Sequence, residues 1–200
     1  KEKPVQKVMH FACGTGRRAV SIRQLAALPY AMHGVDLCAE MAEQADERGL
    51  QVEVNSLIDI ELQQTWRDFD VITLLYAYGH LPSRAIRKHV LHVAYQMLRP
   101  GGQFIFDVFD VSDPGEWGPD SIRQFNEQRL AAQGYEEGDV FYKRSNGDEL
   151  AFMHYCDRNR LEELVLSAGF DAVQMTTIGY DQNPGKESSS GKLFVVATKL

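Results

Sequence analysis

Val8-Met9-His10-Phe11-Ala12-Cys13-Gly14-Thr15-Gly16-Arg17-Arg18 is the stretch that decides how this 200-residue chain is read. Its apolar start, Val8 to Ala12, runs straight into Cys13-Gly14-Thr15-Gly16 and then into helix-favouring residues, the order of a buried strand, a tight turn and a helix N-terminus. Glycines at 14 and 16 let the backbone come close to a bound molecule, and the helix start points unpaired N–H groups at it. Further on, Gly34-Val35-Asp36 closes a second apolar stretch. A carboxylate at that spacing, at the end of a neighbouring strand, is placed to receive the two hydroxyls of a ribose. Turn and carboxylate together read as a site for a nucleoside cofactor. A residue at a strand's open end carries little packing, so Asp36→Ala is expected to weaken binding and leave stability nearly unchanged.

Working outward, hydrophobic residues make up 44% of the chain, enough for one sizeable core without metal or disulfide, and residues 1–200 are expected to form a single domain. The three cysteines, Cys13, Cys38 and Cys156, are odd in number and widely spaced. That pattern suits a reducing, cytoplasmic setting and implies no zinc or redox centre. The histidines lack metal-ligand spacing, so no metal is expected. No apolar run reaches membrane-spanning length and no signal-peptide pattern opens the chain. A net charge of −7 opposes non-specific binding to nucleic acid. A small-molecule partner is therefore favoured over nucleic acid or membrane. The chain opens without Met and almost on its first strand, which leaves room for an upstream segment.

After a helix from Arg17 to Leu28, stopped by Pro29, strands and helices alternate. Ala31 to Asp36 reads as a strand, Cys38 to Arg48 as a helix closed by Gly49, and Gln51 to Asn55 as a strand. Asp70 to Leu75 is an almost wholly apolar run, the mark of a strand buried on both faces, and sets the centre of the sheet. Pro82 to Leu98 carries Ile86, Val90, Ala94, Met97 and Leu98 at helical spacing, and Arg99-Pro100-Gly101-Gly102 ends it before a strand from Gln103 to Val108. Alternation of this kind demands a parallel sheet with right-handed crossovers and helices on both faces. The rhythm then breaks. Residues 110–154 read as a cap insertion, with a mixed-polarity helix from Ser121 to Gln133 and a β-hairpin, Val140 to Arg144 and Glu149 to His154, around Asn146-Gly147. A helix from Arg158 to Ala168, a strand from Ala172 to Ile178, a polar surface loop from Asp181 to Ser190 and a strand from Leu193 to Thr198 complete the chain.

In order and spacing, C-G-T-G after the first strand, G-V-D, D-F-D-V-I-T-L-L, L-R-P-G-G-Q-F-I-F-D, A-G-F and the closing K-L-F-V-V-A-T-K resemble the class I S-adenosylmethionine-dependent methyltransferases. The resemblance implies an α/β fold: a doubly wound, Rossmann-like, mostly parallel sheet of seven strands in the order 3-2-1-4-5-7-6, the last antiparallel, with the cap added. It implies S-adenosyl-L-methionine as cofactor, its methionine part against the turn of Ala12, Cys13, Gly14 and Gly16 and near His10. Asp36 would hold the ribose, Leu37 would lie beside the adenine with Ser56 and Leu57 at its amino edge, and Leu75, Tyr76 and Tyr78 would line the sulfonium side. A sulfonium with a neighbouring ammonium is cationic, and Tyr76-Ala77-Tyr78-Gly79-His80 offers aromatic faces and carbonyls in place of the arginines a pyrophosphate needs. Tyr78 and His80 are the candidate catalytic residues, His80 as a base or orienting group for an acceptor. Their structural alternatives are core packing for the tyrosine and helix capping for the histidine. His154 and Tyr142 on the hairpin are expected to face the pocket from above, while Cys13 reads as turn packing and Arg17 and Arg18 as solvated charges.

The sequence departs from the family pattern at His10, where an acidic residue is usual, at Ala12, where the first glycine falls, and at Ser56, where an acidic residue often sits near the adenine. A neutral His10 can accept a hydrogen bond, whereas a protonated ring would repel the cofactor's amino end, so binding is expected to fall as its ring titrates. Three other readings compete with methyl transfer to a small-molecule acceptor. Gly14-Thr15-Gly16-Arg17-Arg18-Ala19 formally fits G-x-G-x-x-G/A, the mark of a nicotinamide-dependent oxidoreductase. A catalytically silent binding domain is the second, and an RNA methyltransferase, opposed by the acidic balance, is the third.

Overall fold

A computed structural model describes residues 6–27, 29–62, 65–115, 117–143, 149–180 and 190–200. Successive side chains of a strand point to opposite faces, and β1 (Lys7–Phe11) uses both. Val8 packs with Ala19, Met32, Ala45 and Leu50 on one side, while Met9 and Phe11 join Ile72, Leu74, Phe104 and Phe106 on the other. The first side is covered by α1 (Arg17–Ala26) and α2 (Ala39–Glu47), whose small buried residues Ala19, Ala42 and Ala45 let the helices lie close to the sheet. The second is covered by α3 (Arg84–Met97) and α5 (Arg158–Ser167), through Val90, Leu91, Ala94 and Met97 of the one and Leu161, Leu164 and Val165 of the other.

Strands β2 (Ala31–Asp36), β3 (Gln51–Val54), β4 (Phe69–Leu74), β5 (Leu98–Asp110), β8 (Ala172–Ile178) and β9 (Lys192–Thr198) complete the main sheet. Their order is β3-β2-β1-β4-β5-β9-β8, parallel except for β9, which runs antiparallel to both its neighbours. This is the 3-2-1-4-5-7-6 order once the cap's own strands are left out of the count, and β4 lies at its centre as its apolar run requires. One boundary moves: β5 begins at Leu98, directly after α3, because Leu98 already pairs with Phe69 before a register shift at the Pro100-Gly101-Gly102 segment. Arg99 there reaches Asp70 at 2.5 Å. The carboxyl ends of β1, β2, β4 and β5 thus open on one edge, where ligands of such sheets bind.

Residues beyond β5 build over that edge. The expected single helix divides into α4 (Gly118–Glu127) and a 3-10 turn, Leu130–Gln133, because Arg129 between them takes a left-handed φ of 51°. Strands β6 (Asp139–Lys143) and β7 (Leu150–Cys156) pair antiparallel as the hairpin. Phe109 of β5 pairs with Lys192 of β9 on one side and with Tyr155 of β7 on the other, so the hairpin continues the sheet line past the end of β4. On β6, the Gln124 side chain accepts the Phe141 N–H at 3.0 Å and donates to the Phe141 carbonyl at 3.3 Å. The Asn146-Gly147 turn, and residues 181–189 of the expected surface loop, lie outside the described residues.

Candidate active site

The glycine turn alternates left-handed positions: Ala12 at φ 49°, Gly14 at 54° and Gly16 at 76°. The Cys13 N–H donates to the Val35 carbonyl and the Gly16 N–H to the Cys13 carbonyl, each at 3.0 Å, which pins the turn to β2. Gly16 is required twice over, since a Cβ there would also sit 3.1 Å from the Ala45 backbone. At Gly14 an added Cβ would meet no protein atom within 4 Å, so this side of the turn is open to a ligand. Ala12 holds a left-handed conformation without being glycine, a strain of roughly 1–2 kcal/mol.

Asp36 faces that open side. Its Oδ2 accepts the Gly14 N–H at 2.6 Å and its Oδ1 the Cys38 N–H at 3.0 Å, so the carboxylate ties the turn to the start of α2. The expectation that its loss would spare stability is thereby corrected, because two backbone donors depend on it. Each oxygen keeps further lone-pair capacity for a ribose hydroxyl. Beside it Leu37 is 73% exposed, and Val54, the β3 partner of Asp36, is also exposed. The Asn55 N–H donates to the Asp36 carbonyl at 3.0 Å, which brings Ser56 and Leu57 to the same rim; Leu57 turns partly inward onto the core.

His10 lies beneath the turn, 3% exposed, with Nδ1 2.8 Å from Thr73 Oγ1 and Nε2 without a partner among the described residues. Burial, and second the neighbouring His33, bring its pKa from 6.5 to about 4. The ring is therefore neutral, and the expected loss of binding through a titration near neutral pH is corrected: the proton arrives far lower. Burial, then Asp36, push the Cys13 thiol up to about 12, so it is no nucleophile.

At the ends of β4 and β5 side chains take over. Tyr76 has a left-handed φ of 61°, and its N–H donates to Asp107 Oδ1 at 2.5 Å. The Arg18 guanidinium lies 4.0 Å and the Lys192 ammonium 3.7 Å from the centre of its ring. Lys192 also lies 4.5 Å from the Phe109 ring centre and 3.3 Å from Asp107 Oδ2. Next to this group is a cavity of about 270 Å³, lined among others by Tyr76, Ala77, His80, Phe109, Met153 and Lys192. His80 is exposed, and its Nδ1 stands 3.0 Å from the carbonyl oxygen of Phe152 on β7.

Several expected residues lie elsewhere. Tyr78 is fully buried and stacked on Phe106 at 4.7 Å, which is its core-packing alternative; with no exposed surface it cannot touch an acceptor. His154 turns inward and donates from Nδ1 to Asp139 Oδ1 at 2.7 Å, in a buried cluster with Arg87 and Glu136; burial lowers its pKa. Tyr142 packs edge-on against Trp117 at 5.7 Å. Asp107, Lys192 and Arg18 were missed by the sequence reading. An acid closing the apolar run Phe104 to Asp107 was a signal, as was an arginine in the first turn of α1, where the helix dipole opposes a cation.

A nucleotide-type glycine turn, an acid at the end of β2 and an antiparallel last strand between β5 and β8 define a Rossmann-like methyltransferase fold. Residues 8–102 match the methyltransferase domain family, and the sheet order is that of the class I S-adenosylmethionine-dependent methyltransferase fold. Among solved structures, an S-adenosylmethionine-dependent methyltransferase of Methanosarcina mazei is 16% identical, with a TM-score of 0.71 over 100% of this chain and 95% of that one. A Thermotoga maritima methyltransferase described as a possible histamine N-methyltransferase is 19% identical, with a TM-score of 0.62 over 100% and 84%. DhpI, in complex with SAM and HEP, is 18% identical, with a TM-score of 0.64 over 96% and 78%. No curated protein sequence matches the chain. The residues present fit S-adenosyl-L-methionine: open space at Gly14 and a carboxylate at Asp36 suit a ligand with a ribose, while the neutral His10 ring lies buried beneath the turn. Among the described residues no group of His, Cys, Asp and Glu could hold a metal, and no helix is long and apolar enough to cross a membrane.

Proposed function

We propose that this chain transfers the methyl group of S-adenosyl-L-methionine to a small molecule bound between the ends of β4 and β5 and the hairpin, with residues 110–154 as a cap on one domain of residues 1–200. The observation that carries this reading is the cavity of about 270 Å³ at Tyr76, whose ring also meets Arg18 at the start of the cofactor helix. Cofactor turn and cavity thus adjoin one side chain, and a space of that size suits a small acceptor better than a polymer. Asp36 would hold the ribose, the turn of Ala12, Cys13, Gly14 and Gly16 with His10 the methionine end, Leu37, Ser56 and Leu57 the adenine, and Leu75 the sulfonium side, the Tyr76 ring being already occupied by Arg18 and Lys192. When bound, the sulfonium supplies an electrophilic methyl and its own leaving group. The chain's part is to align an acceptor behind that methyl and to keep water out, which the hairpin does by closing the β4 end.

Calorimetric titration with S-adenosylhomocysteine, a nicotinamide dinucleotide and a short RNA tests the reading, with S-adenosylhomocysteine alone expected to bind. Binding of the dinucleotide instead would make the chain an oxidoreductase. Binding of none would leave a silent domain, and RNA binding together with the cofactor product would move the acceptor class to nucleic acid.

A further inference from the structure

From the contact between the hairpin and His80 we infer that the acceptor is a small, flat molecule that presents a hydroxyl group, and that His80 Nε2 is the base that takes its proton. This rests on the methyl-transfer reading above. A carbonyl oxygen only accepts hydrogen bonds, so the 3.0 Å contact from His80 Nδ1 to the Phe152 carbonyl requires the hydrogen on Nδ1. The neutral ring then carries its lone pair on Nε2, which has no partner among the described residues, in a side chain that lines the cavity. The hairpin thereby sets the tautomer of the one histidine beside the acceptor space.

The rest of the cavity argues against an amine. Its carboxylate, Asp107, is engaged on Oδ1 by the Tyr76 N–H and on Oδ2 by Lys192. A protonated amine would face the Lys192 ammonium, a like charge that already neutralises Asp107. A hydroxyl enters neutral, and the charge that develops on its oxygen is favoured by the same ammonium. Phe109, Met153, Val108 and Ala77 supply apolar walls for a ring. In the transfer the acceptor O–H gives its proton to Nε2 as the oxygen bonds the methyl carbon. The methyl–sulfur bond breaks with its electron pair left on sulfur, giving a methyl ether and S-adenosylhomocysteine. His80 is exposed, so its proton passes on to solvent.

Three measurements on the full chain test this. Nitrogen-15 NMR of the His80 ring, assigned against His80→Gln, should show a protonated Nδ1 and an unprotonated Nε2; the other tautomer overturns the inference. Matched phenols and benzylamines, supplied with S-adenosylmethionine, should yield ethers and no methylamines. His80→Gln should lower kcat on the phenols on the order of a hundredfold or more, with S-adenosylhomocysteine affinity unchanged, and added imidazole should partly restore His80→Ala. Methylation of the amines, no methylation of any hydroxyl, or an unchanged kcat in His80→Gln overturns the inference in a protein that binds S-adenosylhomocysteine. Loss of that binding in the wild type removes the methyl-transfer reading itself.

Discussion

The two ends of the binding edge are built in different ways. Around β1 and β2 the candidate ligand-facing groups are main-chain atoms of residues 12–16, tied to Asp36 through the Gly14 N–H at 2.6 Å, while the Cys38 N–H holds the other carboxylate oxygen at 3.0 Å. Around β4 and β5 they are side chains brought together from positions 18, 76, 80, 107, 153 and 192. A site made of local backbone geometry constrains the sequence over a few adjacent residues, so it is shared widely and read easily. A site made of convergent side chains can vary one position at a time, and this suits the end proposed to choose an acceptor.

The largest expected effect tests whether the two ends are separable. Arg87, 1% exposed, donates to the Leu81 carbonyl at 2.7 Å and pairs with Glu136 and Asp139, which join α3 to the root of the hairpin. Arg87→Met leaves the buried Asp139 without its arginine and Glu136 with Arg84 alone, so unfolding stability should drop by about 3–5 kcal/mol. Affinity for S-adenosylhomocysteine, measured below the unfolding transition, should hold; a parallel fall in affinity would join the two ends into one unit.

Asp36→Ala is the converse test at the cofactor end. Charge-assisted bonds to two hydroxyls are each worth roughly 1.5–3 kcal/mol, so calorimetry should find S-adenosylhomocysteine binding weakened on the order of a hundredfold or more. Thermal unfolding should show a further loss of about 1–2 kcal/mol from the Gly14 and Cys38 N–H groups. Asp36→Asn should fall between, and unaltered binding would take the carboxylate out of the ligand site.

His10 gives the smallest and most graded effect. Its folded pKa of about 4 lies below the ordinary 6.5, so the unfolded chain takes up a proton in that window and the native chain does not. Stability is complete above pH 6.5 and is lost as pH falls toward 4, by about 2 kcal/mol at pH 5. Denaturant unfolding at pH 7.5 and 5 should show a smaller difference in His10→Gln than in the wild type, and equal differences would mean the ring is hydrated. The buried His154, with its pKa also lowered, leaves a residual slope in both proteins.

Legibility in the sequence follows the same division. Periods of two and of about 3.6 residues, with Gly49, Pro29 and Pro100 as stops, placed the strands and helices of the main sheet within a few residues. The turn and Asp36 were legible because strand, glycines and acid are fixed by their spacing. Tyr76 and Tyr78 illustrate the opposite case. They are two residues apart with the same chemistry, yet one is 57% exposed between two cations and the other is fully buried. Only the left-handed φ of Tyr76 and the 3-10 turn after it separate them, and nothing in Tyr76-Ala77-Tyr78 announces either. Lys192 reaches the cavity through the antiparallel return of β9, a pairing across 83 positions from Phe109, and His154 was drawn inward by an Asp139–Arg87 cluster with no local motif.

The side chain of Gln124 has a consequence for how copies of this chain meet. Strand β6 is the outer member of the hairpin and would present a free row of N–H and C=O groups, a template on which a second chain could add a strand. The amide of Gln124 occupies both groups of Phe141 in the middle of that row, as a single residue of an added strand would. The middle of that edge, beside the Tyr76 cavity, is thereby covered by a helix, and β3 and β8 form the far edges of the main sheet.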